Sequence, residues 1–214
     1  MGEVDKEHHV KLVVDEWGPW YKPGSEITRG DILEQMPTLR DAVFSGMTLD
    51  TFNRHPEKVA MAACAQLINC LNSLYLAHED KFVVTPVGHV FGMYAVHQGG
   101  QALRAIFSAP RVNYQRDGQL ASFWGLQGSA SLKGKEWSLT VVNPAVSEAR
   151  ETEIVIRGAQ AISATETVLT APDIHAHNTF DQPQAVVPQA REVKKAGSFT
   201  FPPASVNGLR IQLR

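Results

Sequence analysis

The sequence predicts two architectures in tandem: an α/β portion over residues 1–100 and an antiparallel β-sandwich over residues 101–214. Three observations carry this. Short apolar runs alternate with helical stretches in the first half, the rhythm of a parallel α/β sheet. After about residue 101 the pattern changes to closely spaced short strands punctuated by Gly, Pro and Asn. Third, 43% hydrophobic and 20% charged residues over 214 positions describe an ordinary globular chain, long enough to bury a sizeable core.

The first element is "HVKLVVDEW", residues 9 to 17, whose Val-rich run without clean alternation reads as a buried strand. The loop after it, Gly18 to Gly30, carries Pro19, Pro23 and three glycines. "PTLRDAVFSGMTLDTFNRH" has a helical pattern with an interruption expected near Gly46. "PEKVAMAACAQLINCLN" (56–72) reads as the clearest helix, with Pro56 in its first turn, Glu57 complementing the dipole, and a stripe of Val59, Ala63, Leu67 and Leu71. "SLYLA" (73–77) is a short strand candidate, "HEDK" a turn, and Thr85-Pro86 a cap and first position for a helix to about Gln98.

The second half offers "QALRAIFS", "QGSASL", "EWSLTVVN", "ETEIVIRG", "AISATETVLT", "SFTF" and "GLRIQLR" as strands, with a hairpin around Gly134 in "LKGKEW".

Several function classes are disfavoured. A formal net charge of -2 without a Lys/Arg block argues against a nucleic-acid partner. No apolar stretch reaches the length of a membrane span, and "MGEVDKEHHVK" is too polar for a signal peptide. Cys64 and Cys70, six apart on the expected helix, face different directions and are expected to stay free, which fits a reducing, cytoplasmic location. "HAHN" places His175 and His177 two apart; structural hydrogen bonding is preferred there over a metal, and no cofactor is expected. His8 and His9 read as a solvated start, His89 and His97 as packing or surface residues, and Trp124 and Trp137 as core aromatics rather than a sugar platform.

The chemistry concentrates in "DEW". Strand ends at the C-terminal face of an α/β barrel carry catalysis. Asp15 and Glu16 are strand neighbours, so alternation sends them to opposite faces and they cannot act as a pair. A carboxylate flanked by Trp17, Trp20 and Tyr21 suits a sugar site, where rings cover apolar sugar faces and acids act at the anomeric carbon.

"VVDEWGPWY", "TLRDAVFSGMTLDTFNRHPEKVAMAACAQLINCL" and "VVTPVGHVFGMY" resemble the last part of the barrel of the α-L-arabinofuranosidases of glycoside hydrolase family 51. "SLTVVNPA" and "LTAPDIHAHNTFDQPQAV" resemble that family's C-terminal sandwich. The resemblance runs from about residue 10 to 213 with the segments in family order. It implies a partial (β/α)8 barrel, its last two strand–helix units, followed by the sandwich. It also implies a retaining exo-glycosidase acting on arabinofuranosyl side groups of arabinan or arabinoxylan, homo-oligomeric when full length. Glu16, ending the seventh barrel strand, takes the nucleophile's place, and Trp20 the place of an aromatic residue bordering the arabinose pocket. The strand before Thr85 is expected to be the eighth. A Gln that some relatives carry near Thr85 as a sugar contact is not found there.

A complete barrel takes roughly 250 residues, and a retaining mechanism needs a second carboxyl group roughly 5 Å from the nucleophile. In the family that acid/base Glu stands in an Asn-Glu pair, and these 214 residues contain none. The expectation is therefore an inactive C-terminal portion. Within the same class, a member acting on β-linked glucan backbones is the nearest alternative. In a different class, the alternative is a non-catalytic carbohydrate-binding or vestigial sandwich.

Overall fold

The computed structural model describes residues 3–7, 9–22, 33–193 and 197–214; His8, Pro23, Gly24 and Gly30 lie outside these. In chain order the first elements are β1 (Leu12–Trp17), α1 (Leu39–Asn53), β2 (Val59–Cys64), β3 (Tyr75–His78), β4 (Lys81–Val84) and α2 (Pro86–Tyr94), extended by a 3-10 turn at Ala95–His97. There follow β5 (Gln101–Leu103), β6 (Val112–Arg116), β7 (Gln119–Phe123), β8 (Gln127–Lys133), β9 (Glu136–Asn143), β10 (Arg150–Glu153), β11 (Ala161–Leu169), β12 (Gln189–Glu192), β13 (Ser198–Phe201) and β14 (Ser205–Leu213).

β1 and β2 pair in parallel across α1, a β–α–β unit. This corrects the helix expected over 56–72. Pro56 opens a turn, in which the Lys58 and Val59 amides both donate to the His55 carbonyl, and the chain then runs as β2. The physical reason is that β1 must satisfy its own backbone groups. Leu12 N–H donates to the Lys58 carbonyl at 2.7 Å, and Ala65 N–H to the Trp17 carbonyl at 2.8 Å. Pairing of this kind overrides the modest helix propensity of an Ala- and Met-rich segment. The expected apolar stripe does not share a face: Leu67 is exposed, whereas Leu71 is buried at φ 52°.

The strand at 81–84 is correspondingly not a partner of β1. β4 forms an antiparallel hairpin with β3 through the turn at Glu79 and Asp80. Thr85 then caps α2 as its sequence suggests, its Oγ1 accepting from Gly88 N–H at 3.1 Å and donating to the Ser73 carbonyl at 2.8 Å.

α1 is continuous through Gly46, where an interruption was expected. A Cβ there would stand 2.9 Å from Val142 Cγ2 and 3.3 Å from the Tyr94 hydroxyl, so this glycine marks close approach to the sheet rather than a break. Asp41 closes a capping box with Thr38 at the helix start, which gives orphan N-terminal donors their acceptors.

The later strands build a six-stranded antiparallel sheet in the order β12-β11-β14-β9-β8-β5, and β10 pairs with β13 beside it. Alternation along β9 divides its side chains. Trp137, Leu139 and Val141 pack with Phe199, Phe201, Leu209 and Ile211 on one face. Val142 points to the other face, where with Leu169 and Val206 it packs against Leu39, Val43, Val90 and Tyr94 of α1 and α2. One core cluster therefore joins residues from both sides of position 100.

Buried polar groups cross the same boundary. Ser129 and Thr140 hydroxyls each donate to Asp50 Oδ1 at 2.8 Å. His97 bridges Ser131 through Nδ1 at 2.7 Å and Thr140 through Nε2 at 3.1 Å. Because the Thr140 proton goes to Asp50, His97 Nε2 donates and Nδ1 accepts, which fixes the neutral tautomer. Burial pushes the Asp50 carboxyl up to about 7 and the His97 imidazole down to about 4.

The first strand is not buried as its composition suggests. Its only ladder partner among the described residues is β2, and Leu12, Val13 and Met61 are exposed. A parallel pair is stable only with neighbours and a covering layer on both faces, and α1 supplies part of one.

Candidate active site

The C-terminal ends of β1 and β2 lie side by side, with Trp17 opposite Cys64. Between the pairs Val14–Ala62 and Trp17–Cys64, β1 advances three residues while β2 advances two. The pairing is thus irregular at Asp15-Glu16, and an opposite irregularity between Leu12 and Val13 leaves the two strands in step overall, Leu12 opposite Val59 and Trp17 opposite Cys64. Both carboxylates are exposed at the strand end, and neither has a hydrogen-bond or ion-pair partner among the described residues.

The three aromatic residues around the acids separate into distinct roles. Trp17 is a packing residue: its ring stacks on Phe91 of α2 at 5.9 Å and meets Phe52 of α1 edge-on at 5.6 Å. It fastens the end of β1 to both helices. Tyr21 is held by its hydroxyl, which donates to Asp41 Oδ1 at 2.6 Å, and by the Arg40 guanidinium 3.8 Å above its ring. Burial, reinforced by the Asp41 carboxylate, drives the Tyr21 phenol well above its ordinary range. Trp20 alone stays open, with 61% of its surface exposed.

The end of β2 adds what the sequence reading missed. Gln66 is exposed immediately past the strand, its N–H donating to the Cys70 carbonyl. The sequence places the eighth strand before Thr85, and a Gln is expected there; the strand that pairs with β1 leads into Gln66 instead. Only recognising "VAMAAC" as that strand would have found it. Below it, Asn72 is buried and its amide donates to Cys64 Sγ and Ser45 Oγ, and burial pushes the Cys64 thiol up to about 11. Cys64 and Cys70 are both free thiols, though on a strand and loop rather than one helix.

The remaining candidates fall elsewhere. His177 Nδ1 engages the His175 carbonyl at 2.9 Å, in a segment whose backbone bonds the start of α1. His9 lies beside Glu7 on the surface. His89 is a half-buried residue of α2, whereas His97 belongs to the polar cluster described above. Trp137 is a core residue, but Trp124, which follows the β6–β7 hairpin, is exposed with Arg111 over its ring at 4.7 Å. Among the described residues no group of three or more His, Cys, Asp and Glu side chains is arranged to hold a metal ion, and no helix is long and apolar enough to cross a membrane.

Comparison with known proteins places this fold. The α-L-arabinofuranosidase C-terminal domain model matches residues 15–205. The chain belongs to that family. It corresponds to the C-terminal portion of family 51 arabinofuranosidases. An intracellular exo-α-L-arabinofuranosidase of Bacteroides ovatus is 31% identical over 195 residues, covering 91% of this chain and 37% of that protein. The solved family 51 arabinofuranosidase of Xanthomonas axonopodis pv. citri superposes with a TM-score of 0.86 at 33% identity, over 99% of this chain and 43% of that one. The Thermotoga maritima α-L-arabinofuranosidase, solved as an arabinose complex, gives a TM-score of 0.82 at 25% identity, over 98% and 45%. The chain thus spans less than half the length of these relatives.

Proposed function

We propose that the chain supplies the nucleophile half of a retaining α-L-arabinofuranosidase that removes arabinofuranosyl side groups from arabinan, arabinoxylan and related oligosaccharides. Residues 1–100 then form the last two strand–helix units of a barrel, and residues 101–214 the sandwich that backs them. The observation that carries this reading is the C-terminal end of β1, where Glu16 stands exposed, with no hydrogen-bond or ion-pair partner among the described residues, four residues before an open Trp20. A carboxylate in that state is available to attack an anomeric carbon.

Glu16 attacks that carbon as the glycosidic oxygen leaves, forming a covalent arabinosyl ester, which water then hydrolyses with net retention. Trp20 covers an apolar sugar face, and the Gln66 side-chain amide, at the neighbouring strand end, offers a hydrogen bond to a sugar hydroxyl. Protonation of the leaving oxygen needs a second carboxyl group roughly 5 Å from Glu16. Glu79 and Asp80 sit in the β3–β4 turn and are not assigned that role. The acid/base comes from barrel strands outside these residues, so the chain by itself does not hydrolyse arabinofuranosides. The open outer edge of β1 and the exposed Leu12, Val13 and Met61 are where those strands dock. Two free thiols and the intracellular relative support a reducing compartment.

The test is a fusion in which the N-terminal portion of the Xanthomonas relative precedes this chain. An aryl α-L-arabinofuranoside should be cleaved by the fusion and left intact by the 214-residue chain alone. Glu16→Gln in the fusion should abolish turnover, with azide restoring product as a glycosyl azide of inverted configuration. Undiminished activity in Glu16→Gln removes Glu16 from the role.

A further inference from the structure

The residues on either side of Trp20 are held by one side chain. Gln35, itself buried, accepts from the Tyr21 backbone N–H through Oε1 at 2.8 Å and donates to the Pro19 carbonyl through Nε2 at 3.3 Å. The two bonds use the amide in one orientation; a flip breaks both. Gln35 thus spans the backbone across Trp20, fixing the peptide before and the peptide after it. A second support lies one residue on, where the Tyr21 hydroxyl bonds Asp41 Oδ1 and Arg40 covers the ring.

The clamp is anchored in turn. Its neighbour Met36 is buried with Leu76 and Val83, and Leu71 N–H donates to the Leu33 carbonyl at 2.7 Å. Asp41 is locked by its own capping box, its Oδ2 accepting from Thr38 N–H at 2.7 Å and from Thr38 Oγ1 at 3.0 Å. The base on which Trp20 stands is therefore the N-terminal end of α1, while the ring itself remains 61% exposed. An exposed Trp in the connection that follows β1 would otherwise sample several orientations, and the ordering would fall on the ligand to supply.

We infer that Gln35 is a positioning residue which, with the Tyr21–Asp41 bond, pre-sets Trp20 as a wall of the sugar site. The inference rests on the proposed role of Trp20, and it adds the device that makes the wall rigid. Because a wall contacts the sugar before and during reaction, its loosening raises KM and leaves kcat nearly unchanged.

The experiment has two arms. In the first, the 214-residue chain is labelled with 5-fluorotryptophan and its 19F spectrum recorded, Trp20 being assigned by its loss in Trp20→Phe. Gln35→Met, which keeps shape and removes both bonds, should broaden the Trp20 line and move it toward the position of free tryptophan. The Trp17, Trp124 and Trp137 lines should hold. Gln35→Glu, which keeps the acceptor for Tyr21 N–H, should lie between Met and the parent. An unmoved Trp20 line in Gln35→Met, or equal disturbance of all four lines, overturns the clamp. In the second arm, the fusion enzyme carrying Gln35→Met should show a KM for the aryl arabinofuranoside raised by about tenfold, as loss of roughly one hydrogen bond's worth of pre-organisation implies, with kcat held within about twofold. Tyr21→Phe should raise KM by a smaller factor. A moved Trp20 line with KM unchanged in both Gln35→Met and Trp20→Ala overturns the sugar-wall role, and the clamp then serves packing alone.

Discussion

Removing the buried carboxylate at the junction of helices and sheet should change the slope of stability against pH. Asp50 sits at about 7 against an ordinary 3.8, and desolvation is the main cause. Its folded form keeps a proton that the unfolded chain releases, so its contribution is present below pH 3.8 and lost as pH rises to 7. The span is about 3 pH units, worth about 4 kcal/mol at about 1.4 kcal/mol per unit. His97 runs oppositely. Burial lowers it from 6.5 to about 4, with Lys133 adding to the shift, so its contribution is present above pH 6.5 and lost as pH falls to 4, about 3 kcal/mol in all. The two groups share Thr140 Oγ1, and Tyr94, packed against both, is driven upward by burial and stays neutral throughout. Over pH 4 to 6.5 the slopes nearly cancel. Asp50→Asn should therefore unmask a rise of about 3 kcal/mol from pH 4 to 6.5, and His97→Gln a fall of about 4 kcal/mol from pH 4 to 7. Urea unfolding followed by tryptophan fluorescence at unit pH steps measures both. Parallel curves for the two variants and the parent would refute the reasoning, since they would mean that neither group titrates differently on folding.

Two further substitutions test the packing. Gly46→Ala places a methyl 2.9 Å from Val142 Cγ2, and despite better helix propensity it should cost about 1–3 kcal/mol, whereas Gly92→Ala, with open space around its Cβ, should stabilise by up to about 1 kcal/mol; chemical denaturation of both decides whether α1 lies against the sheet. Thr85→Ala removes the cap of α2 and the bond to the Ser73 carbonyl and should cost about 1–2 kcal/mol, read as a lowered urea midpoint.

The sequence carried the outline of the fold where local pattern and tertiary demand agree. The Thr85-Pro86 start of α2, the hairpin at Gly134, and the apolar core positions of β9 and β14 are legible because burial and propensity point the same way. β2 was not. "VAMAAC" is composed for a helix, and only the need of β1 for a parallel partner makes it a strand, a requirement invisible in a local window. That single misreading displaced Gln66 from the candidate site. The β6–β7 hairpin was overlooked although Asp117-Gly118, both at positive φ, is a strong hairpin signal. At the site itself Glu16 and Trp20 are legible in "DEWGPW", whereas the pairing of that strand end with β2 is not. Gln35 carries no sequence mark, because its role comes from folding back fourteen residues onto Tyr21.

The most direct test of the account is to find which atom the sugar bonds. The fusion enzyme would be incubated with a slow-releasing arabinofuranosyl reagent bearing a good leaving group, digested, and mapped by tandem mass spectrometry. The account predicts one pentosyl-derived adduct, on the peptide containing "VVDEW", localised to Glu16 and absent in Glu16→Gln. An adduct on Asp15 or on any other residue, or stoichiometric labelling that survives Glu16→Gln, would contradict it.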